Sequence, residues 1–320
     1  MRVGIIGAGG VGAATLVSLV MRGTTACRVT VLDKNRARAR GVVADLQYGA
    51  TLSPAVELGA GDYADLADAA LVIITAGINE KAGGATDRSD PAGRLRLLET
   101  NADVYRDIVP QVVRIAPQAL LLVVTDPPDP LADLARRLAG HDRVLSTGTF
   151  LDSLRFRLHL ARRLKVNPKQ VEAQVVGEHG TSQVFLWSSA RVAGTPIAKL
   201  LEENHQSTEA FRREVEQDVR YANITIIEGT GASQLGIGMV TARIAEAILR
   251  DEHAVIPIGT HNPKFGVTLS LPSVLGRGGV SRILEPEMTA EEWQALDHSA
   301  DVLRSAVERM NQVAGQRSVA

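Results

Sequence analysis

Cysteine is nearly absent: Cys27 is the single one in 320 residues, so no intrachain disulfide can form, which fits a reducing compartment. Net charge is nearly absent too, at -1 from 35 Lys+Arg and 36 Asp+Glu. With no long Lys/Arg run, nothing draws the chain to phosphate backbones or anionic lipid, and nucleic acid is not an expected partner. No segment has the ~18 consecutive apolar residues of a transmembrane helix, so no membrane partner is expected either. Aromatic residues are few, at 3%, yet hydrophobic residues reach 45%, and the 29 Gly and 13 Pro form no low-complexity tract. The chain therefore has the composition of an ordered globular protein. Its length exceeds what one core usually serves, so two packed domains are expected.

What is present begins at the N-terminus. The apolar stretch 3–21 is broken by Gly4, Gly7, Gly9, Gly10 and Gly12, unlike the plain aliphatic block of a secretion signal, and a cytoplasmic, folded segment is expected. Residues 3–6 suit a strand and 11–21 carry apolar residues at helical spacing. Further β-branched runs at 29–32, 71–75, 120–125 and 144–145 are separated by stretches long enough for crossover helices. This alternation predicts an α/β protein with a Rossmann, doubly wound parallel sheet over 1–147. Beyond Gly148 the pattern changes to helices over 151–164, 208–229 and 233–250. Antiparallel strands at 268–272 and 279–284 follow, then a final helix opened by Thr289 and Glu292. A second, α+β domain over 148–320 is expected.

Gly7-Ala8-Gly9-Gly10-Val11-Gly12 is a GxGxxG between that first strand and helix. Gly7 permits the tight turn, Gly9 lets backbone N–H groups of Gly10 and Val11 approach a pyrophosphate, and Gly12 allows close helix–sheet packing. The helix N-terminus adds partial positive charge. Asp33 ends the second strand about 20 residues on, where a carboxylate accepts from the adenosine ribose and repels a 2′-phosphate. Together these predict NAD as cofactor. His179 lies on a turn between glycines, and a histidine alone means little. Asp152 is a candidate partner that would fix its tautomer and favour its protonated form. Arg155, three residues further along the same helical face, has the fork that captures a substrate carboxylate. Pro127, Pro128 and Pro130 end a strand at its carboxyl end, making that turn a candidate site wall.

These motifs, with ITAG at 74–77, LDSLRFR at 151–157 and GEHG at 177–180 in this order, resemble the L-lactate/malate dehydrogenase family over roughly residues 1–310. The resemblance implies reversible hydride transfer between NADH and a small 2-oxo acid, most simply a lactate dehydrogenase-like reaction, with malate or L-2-hydroxyisocaproate dehydrogenase as alternatives. It assigns proton transfer to His179, its orientation to Asp152, and the substrate carboxylate to Arg155. The RLRLLETN match makes Arg94 the arginine of a mobile loop that polarises the carbonyl, with Gly83, Gly84 and Gly93 as hinges. It places Thr75, Ala76, Gly77 and Asn101 at the cofactor and Ser233 at the substrate. It also implies a homodimer or homotetramer and no metal site. A metal-dependent glycosidase on a similar fold would need a Cys and a His near the metal, and Cys27 lies in the wrong region.

The chain departs from the family at Asp126, where an Asn normally precedes the proline. A carboxylate cannot donate the amide's hydrogen bond and faces an anionic substrate, which raises the alternative of an NAD-binding protein with impaired catalysis. Thr181 stands where the family often has Asp. The loop 78–93 is longer than in typical lactate dehydrogenases, so the residue selecting the substrate side chain is either Arg88, which favours a dicarboxylate, or Glu80, which repels one. The segment Asp90-Pro91-Ala92-Gly93-Arg94 is similar to L-2-hydroxyisocaproate dehydrogenases. Fructose 1,6-bisphosphate activation in this family uses an arginine matching Arg157 and a histidine where this chain has Glu172, so no such activation is expected.

Overall fold

The computed structural model describes residues 1–23, 26, 28–78, 93–203 and 207–317. Cys27, Glu80, Gly83, Gly84, Arg88, Asp90, Pro91 and Ala92 lie outside the described residues, as does the side chain of Arg94.

Strands β1 (Arg2–Ile6), β2 (Arg28–Leu32), β3 (Glu57–Ala60), β4 (Ala69–Ile74), β5 (Leu120–Val123) and β6 (Val144–Ser146) are parallel and ordered β3-β2-β1-β4-β5-β6. The central strands are buried along their length because helices cover both faces, so their sequences read as unbroken apolar runs. One face packs Leu16, Leu19 and Val20 of helix α1 (Gly10–Arg22) together with Val43 of α2 (Arg36–Ala50). The other packs Tyr105, Val109 and Val112 of α3 (Gly93–Ile115) with Leu131 and Ala135 of α4 (Pro128–Ala139). Burying each such side chain contributes about 1.5–3 kcal/mol. Helix α4 opens with Pro128 at its first position and closes on Gly140 in the left-handed conformation, the terminus chemistry that the triple-proline turn prescribes.

The remainder of the chain continues this sheet. Strands follow as β7 (Val171–Glu172), β8 (Val175–Val176), β9 (Val184–Phe185), β10 (Arg191–Val192), β11 (Thr195–Pro196), β12 (Ala254–Asn262), β13 (Val267–Gly276) and β14 (Gly279–Ile283). β12 to β14 add antiparallel to the edge at β6, giving a nine-stranded sheet. β13 and β14 correspond to the two strands expected from the sequence. β12 and β3 are additions to that expectation: β12 carries Pro257 and Gly259, residues that usually argue against an internal strand. The reason Gly259 is tolerated is contact. It pairs with Ser146 of β6, and a Cβ there would lie 1.9 Å from Ser146 Oγ.

Helix α5 (Phe150–Leu164) packs Phe156 and Leu160 on Phe211, Val215 and Val219 of α7 (Thr208–Arg220), after a short α6 (Ile197–Glu203). The single helix expected over 208–229 is two helices, α7 and α8 (Ala222–Thr230), which meet at Tyr221 with φ -105° and ψ 10°. The break lets α7 bury its apolar stripe against α5 while α8 turns Asn223 towards the central cleft. α9 (Leu235–Leu249) packs along α1, and α10 (Ala290–Arg317) closes the chain. Its capping box is reciprocal: Glu292 N–H donates to Thr289 Oγ1 at 3.3 Å and Thr289 N–H to Glu292 Oε2 at 3.0 Å. Among the described residues no helix is long and apolar enough to cross a membrane.

Candidate active site

A cleft of about 680 Å³ runs along the carboxyl ends of the parallel strands, where ligands of such sheets bind. The glycine loop forms one end. Thr75 Oγ1 donates to the Gly7 carbonyl at 2.9 Å, and Gly12 must lack a side chain because a Cβ there would lie 1.9 Å from that same carbonyl oxygen. The Asp33 carboxylate accepts from Ala8 N–H at 2.7 Å and from Asn35 N–H at 2.8 Å, tying the loop to the end of β2. Over Gly9 a Cβ would meet nothing within 4 Å. Open space at that backbone, at the N-terminus of α1, is the shape a pyrophosphate needs. The residues present therefore fit a dinucleotide.

His179 stands at the other end, on the turn after β8, and that turn is built from three sides. Gly177 exchanges hydrogen bonds with Ser270 of β13, at 2.8 and 2.9 Å. Glu178 N–H donates to Ser299 Oγ of α10 at 2.8 Å, and its carboxylate accepts from Ser182 N–H at 3.0 Å. His179 N–H itself donates to Asp129 Oδ2 in the first turn of α4 at 2.8 Å. The ring is then held by α5: Nδ1–H donates to Asp152 Oδ2 at 2.5 Å, and the other Asp152 oxygen takes Arg155 Nη1 at 3.1 Å. Asp152 is buried and Arg155 is largely so. With the hydrogen on Nδ1, Nε2 is left without it on the side of the ring that fronts the cleft. Asp126 Oδ1 lies 4.0 Å from that Nε2.

Several site residues expected from the sequence converge here. Gly9, Gly10, Val11, Thr75, Gly77, Asp126, Arg155, His179 and Ser233 line the one cleft. Asn101 is fully buried behind it, where it accepts from Ile78 N–H at 2.8 Å and donates to the Asp126 carbonyl at 2.8 Å, so it spans the two loops as a strut. The Ala76 carbonyl is likewise held from behind, by Thr125 Oγ1 at 2.8 Å. Arg88 lies outside the described residues, and Arg94 is described only as backbone in the first turn of α3. Lining residues that the sequence reading did not single out include Arg38, Thr147, Asn223 and Gln234. Gln234 comes from the start of α9 and reaches Gly10 closely enough that a Cβ there would lie 1.7 Å from its Oε1. It lies in the stretch Gly231-Ala232-Ser233-Gln234 just before α9.

Asp129 is the buried acid behind the His179 turn. Burial pushes its carboxyl up from 3.8 to about 6, although the Ser146 hydroxyl and the His179 amide both favour its ionised form. Its folded value lies above its unfolded one, so its contribution to stability is fully present below about pH 4 and is lost as pH rises through about 6. The loss amounts to roughly 3 kcal/mol at 1.36 kcal/mol per unit. Asp129→Asn keeps an acceptor for His179 N–H and removes this ionisation. Denaturant unfolding from pH 4 to pH 7 is expected to show the wild type losing roughly 3 kcal/mol relative to the variant; parallel curves would mean that Asp129 does not titrate in this range.

A dinucleotide loop facing an imidazole–carboxylate–guanidinium set across one cleft defines the class of Rossmann-fold dehydrogenases. Comparison with known proteins narrows the class. Residues 1–145 match the family model for the lactate/malate dehydrogenase NAD binding domain, and residues 149–314 match the model for its alpha/beta C-terminal domain. The L-lactate dehydrogenase of Deinococcus radiodurans is 43% identical over 305 residues, covering 95% of this chain and 97% of that protein. That of Thermus aquaticus is 40% identical over 313 residues, covering 96% and 98%. A lactate dehydrogenase from a Medee basin deep-sea metagenome library superposes with a TM-score of 0.89 at 33% identity, covering 97% of this chain and 98% of that one. The minor L-lactate dehydrogenase of Enterococcus mundtii gives 0.88 at 32%, covering 96% and 98%. The chain belongs to the lactate/malate dehydrogenase family.

Proposed function

We propose that the protein is an NAD-dependent L-2-hydroxyacid dehydrogenase of the lactate dehydrogenase type, with an NAD-binding domain over residues 1–147 and a substrate and catalytic domain over 148–320. The observation that carries this reading is the hydrogen-bonded chain Arg155–Asp152–His179 facing the glycine loop across one cleft. NAD, when bound, supplies the hydride acceptor of the oxidation and the donor of the reverse reaction. Asp33 and the glycine loop hold it, flanked by Thr75 and Gly77. Arg155 holds the substrate carboxylate, and Asp152 fixes the His179 tautomer so that Nε2 takes the hydroxyl proton or returns it. Arg94 is proposed to polarise the carbonyl. Arg88 or Glu80 is proposed to read the substrate side chain, and Ser233 to line its pocket.

The test is the initial rate of NADH oxidation with pyruvate, oxaloacetate and 2-oxoisocaproate side by side, for wild type and Asp126→Asn. Turnover on pyruvate above the others supports the lactate-type reading. Turnover on oxaloacetate would make Arg88 the selecting residue. NADH binding without turnover until Asp126 is replaced would leave an NAD-binding protein whose catalysis this carboxylate impairs.

We also propose a homodimer or homotetramer. The packed pair α1 and α9 exposes Met21, Leu235 and Met239, of which Met21 is 72% and Leu235 70% accessible in the single chain; sedimentation giving a monomer would exclude this. Fructose 1,6-bisphosphate is not expected to activate. Arg157 donates through Nε to the Ala173 carbonyl at 2.8 Å, and the exposed Glu172 carboxylate beside it would repel a sugar phosphate. A large leftward shift of the pyruvate saturation curve on adding it would refute this.

A further inference from the structure

His179 is bracketed by two carboxylates at its two ring nitrogens. Asp152 holds Nδ1 at 2.5 Å, and Asp126 Oδ1 lies 4.0 Å from Nε2. Asp126 is held there through its backbone carbonyl, which accepts from the buried Asn101 at 2.8 Å. Among the described residues the other charged groups around His179 are Arg155 beside Asp152, Asp129 under the His179 amide, and Glu178, whose carboxylate is turned onto Ser182. Asp152 and Asp129 lie behind the ring. Asp126 and Nε2 both front the cleft, so this carboxylate adjoins both the proton in transit and the oxygen that gives it up.

We propose that Asp126 is a direction-setting residue that adapts this site to oxidising a 2-hydroxy acid rather than reducing a 2-oxo acid. The inference rests on the proposed function. In the oxidation the substrate O–H bond breaks and its proton bonds to Nε2. The Cα–H bond breaks and leaves with its electron pair to the oxidised nicotinamide, and C–O becomes C=O. Imidazolium charge thus develops 4.0 Å from the Asp126 carboxylate, which stabilises it as it forms. In the reduction the same carboxylate stabilises the imidazolium before it reacts and opposes negative charge growing on the substrate oxygen. Both effects slow proton delivery. Because the equilibrium in solution is fixed, binding shifts to compensate: the 2-oxo acid binds the imidazolium form that the carboxylate favours, so its KM falls relative to that of the 2-hydroxy acid.

The test measures both directions for wild type and Asp126→Asn across pH, and follows the His179 ring by NMR titration in the protein without substrate. Circular dichroism melts establish that the variant folds; Asp126→Ser replaces it if it does not. In the variant the ratio of kcat for lactate oxidation to kcat for pyruvate reduction is expected to fall at least tenfold. KM for pyruvate relative to that for lactate is expected to rise about tenfold, and the His179 midpoint to fall. Equal changes in the two directions with an unmoved midpoint would overturn the proposal, leaving Asp126 as a wall residue. If no 2-hydroxy or 2-oxo acid turns over in wild type or variant, the proposed function itself falls and the direction-setting role with it. A lowered midpoint in that case would still identify the Asp126–His179 interaction, so the two failures are distinguishable.

Discussion

Asp152→Asn is expected to lower kcat about 10³-fold or more while leaving NADH affinity nearly unchanged. One Asp152 carboxylate accepts from His179 Nδ1 and from Arg155 Nη1, each on its own oxygen. An asparagine offers one acceptor oxygen and one NH₂, so it can satisfy only one of these donors and must present a donor to the other. Facing the ring, the NH₂ would force hydrogen onto Nε2 and invert the tautomer; in serine-protease triads such an exchange costs about 10⁴ in kcat. Asp152 is buried, so water does not repair the loss. Asp152 does not line the cleft, and fluorescence titration with NADH should therefore be little affected. A kcat within tenfold of wild type would show that Asp152 does not set the tautomer of His179.

Arg155→Leu is expected to act on substrate binding, raising KM for the 2-oxo acid by about 10²–10³. Removing one partner of a desolvated charge pair costs about 3–5 kcal/mol, and the Arg155 side chain is only 13% exposed. Arg155→Lys should recover part of the loss, because a point charge keeps the attraction but not the two-pronged geometry. Steady-state kinetics separate the two roles: a kcat effect without a KM effect would show that Arg155 serves Asp152 alone and leaves the carboxylate to another group.

Much of this site is legible in order along the chain. The glycine loop requires a strand before it and a helix after it, a local condition that hydrophobic spacing shows directly. His179, Asp152 and Arg155 are marked by short motifs, and residues 152 and 155 share a helical face by spacing alone. Asn101 is different: its motif ties it to the site, but only packing reveals a fully buried strut between Ile78 and Asp126. Arg38 has no motif, and Gln234 has no role that its stretch assigns; they reach the cleft because α9 packs on α1 and α2 begins beside the glycine loop. Strand β12 was obscured by Pro257 and Gly259, whose local preferences oppose a strand until Ser146 supplies the neighbour that requires a glycine.

The amino-acid sequence by itself determined the α/β alternation, the glycine loop and the residues proposed for proton transfer and carboxylate binding, because each depends on periodicity or on residues close in the chain. Tertiary structure alone decided that strands from the second half extend the first sheet. It also placed Asp129 of α4 under the His179 turn and set the Asp126 carboxylate 4.0 Å from Nε2. Those are contacts between segments tens of residues apart, fixed by how buried faces pack, and no local preference encodes a distance of that kind.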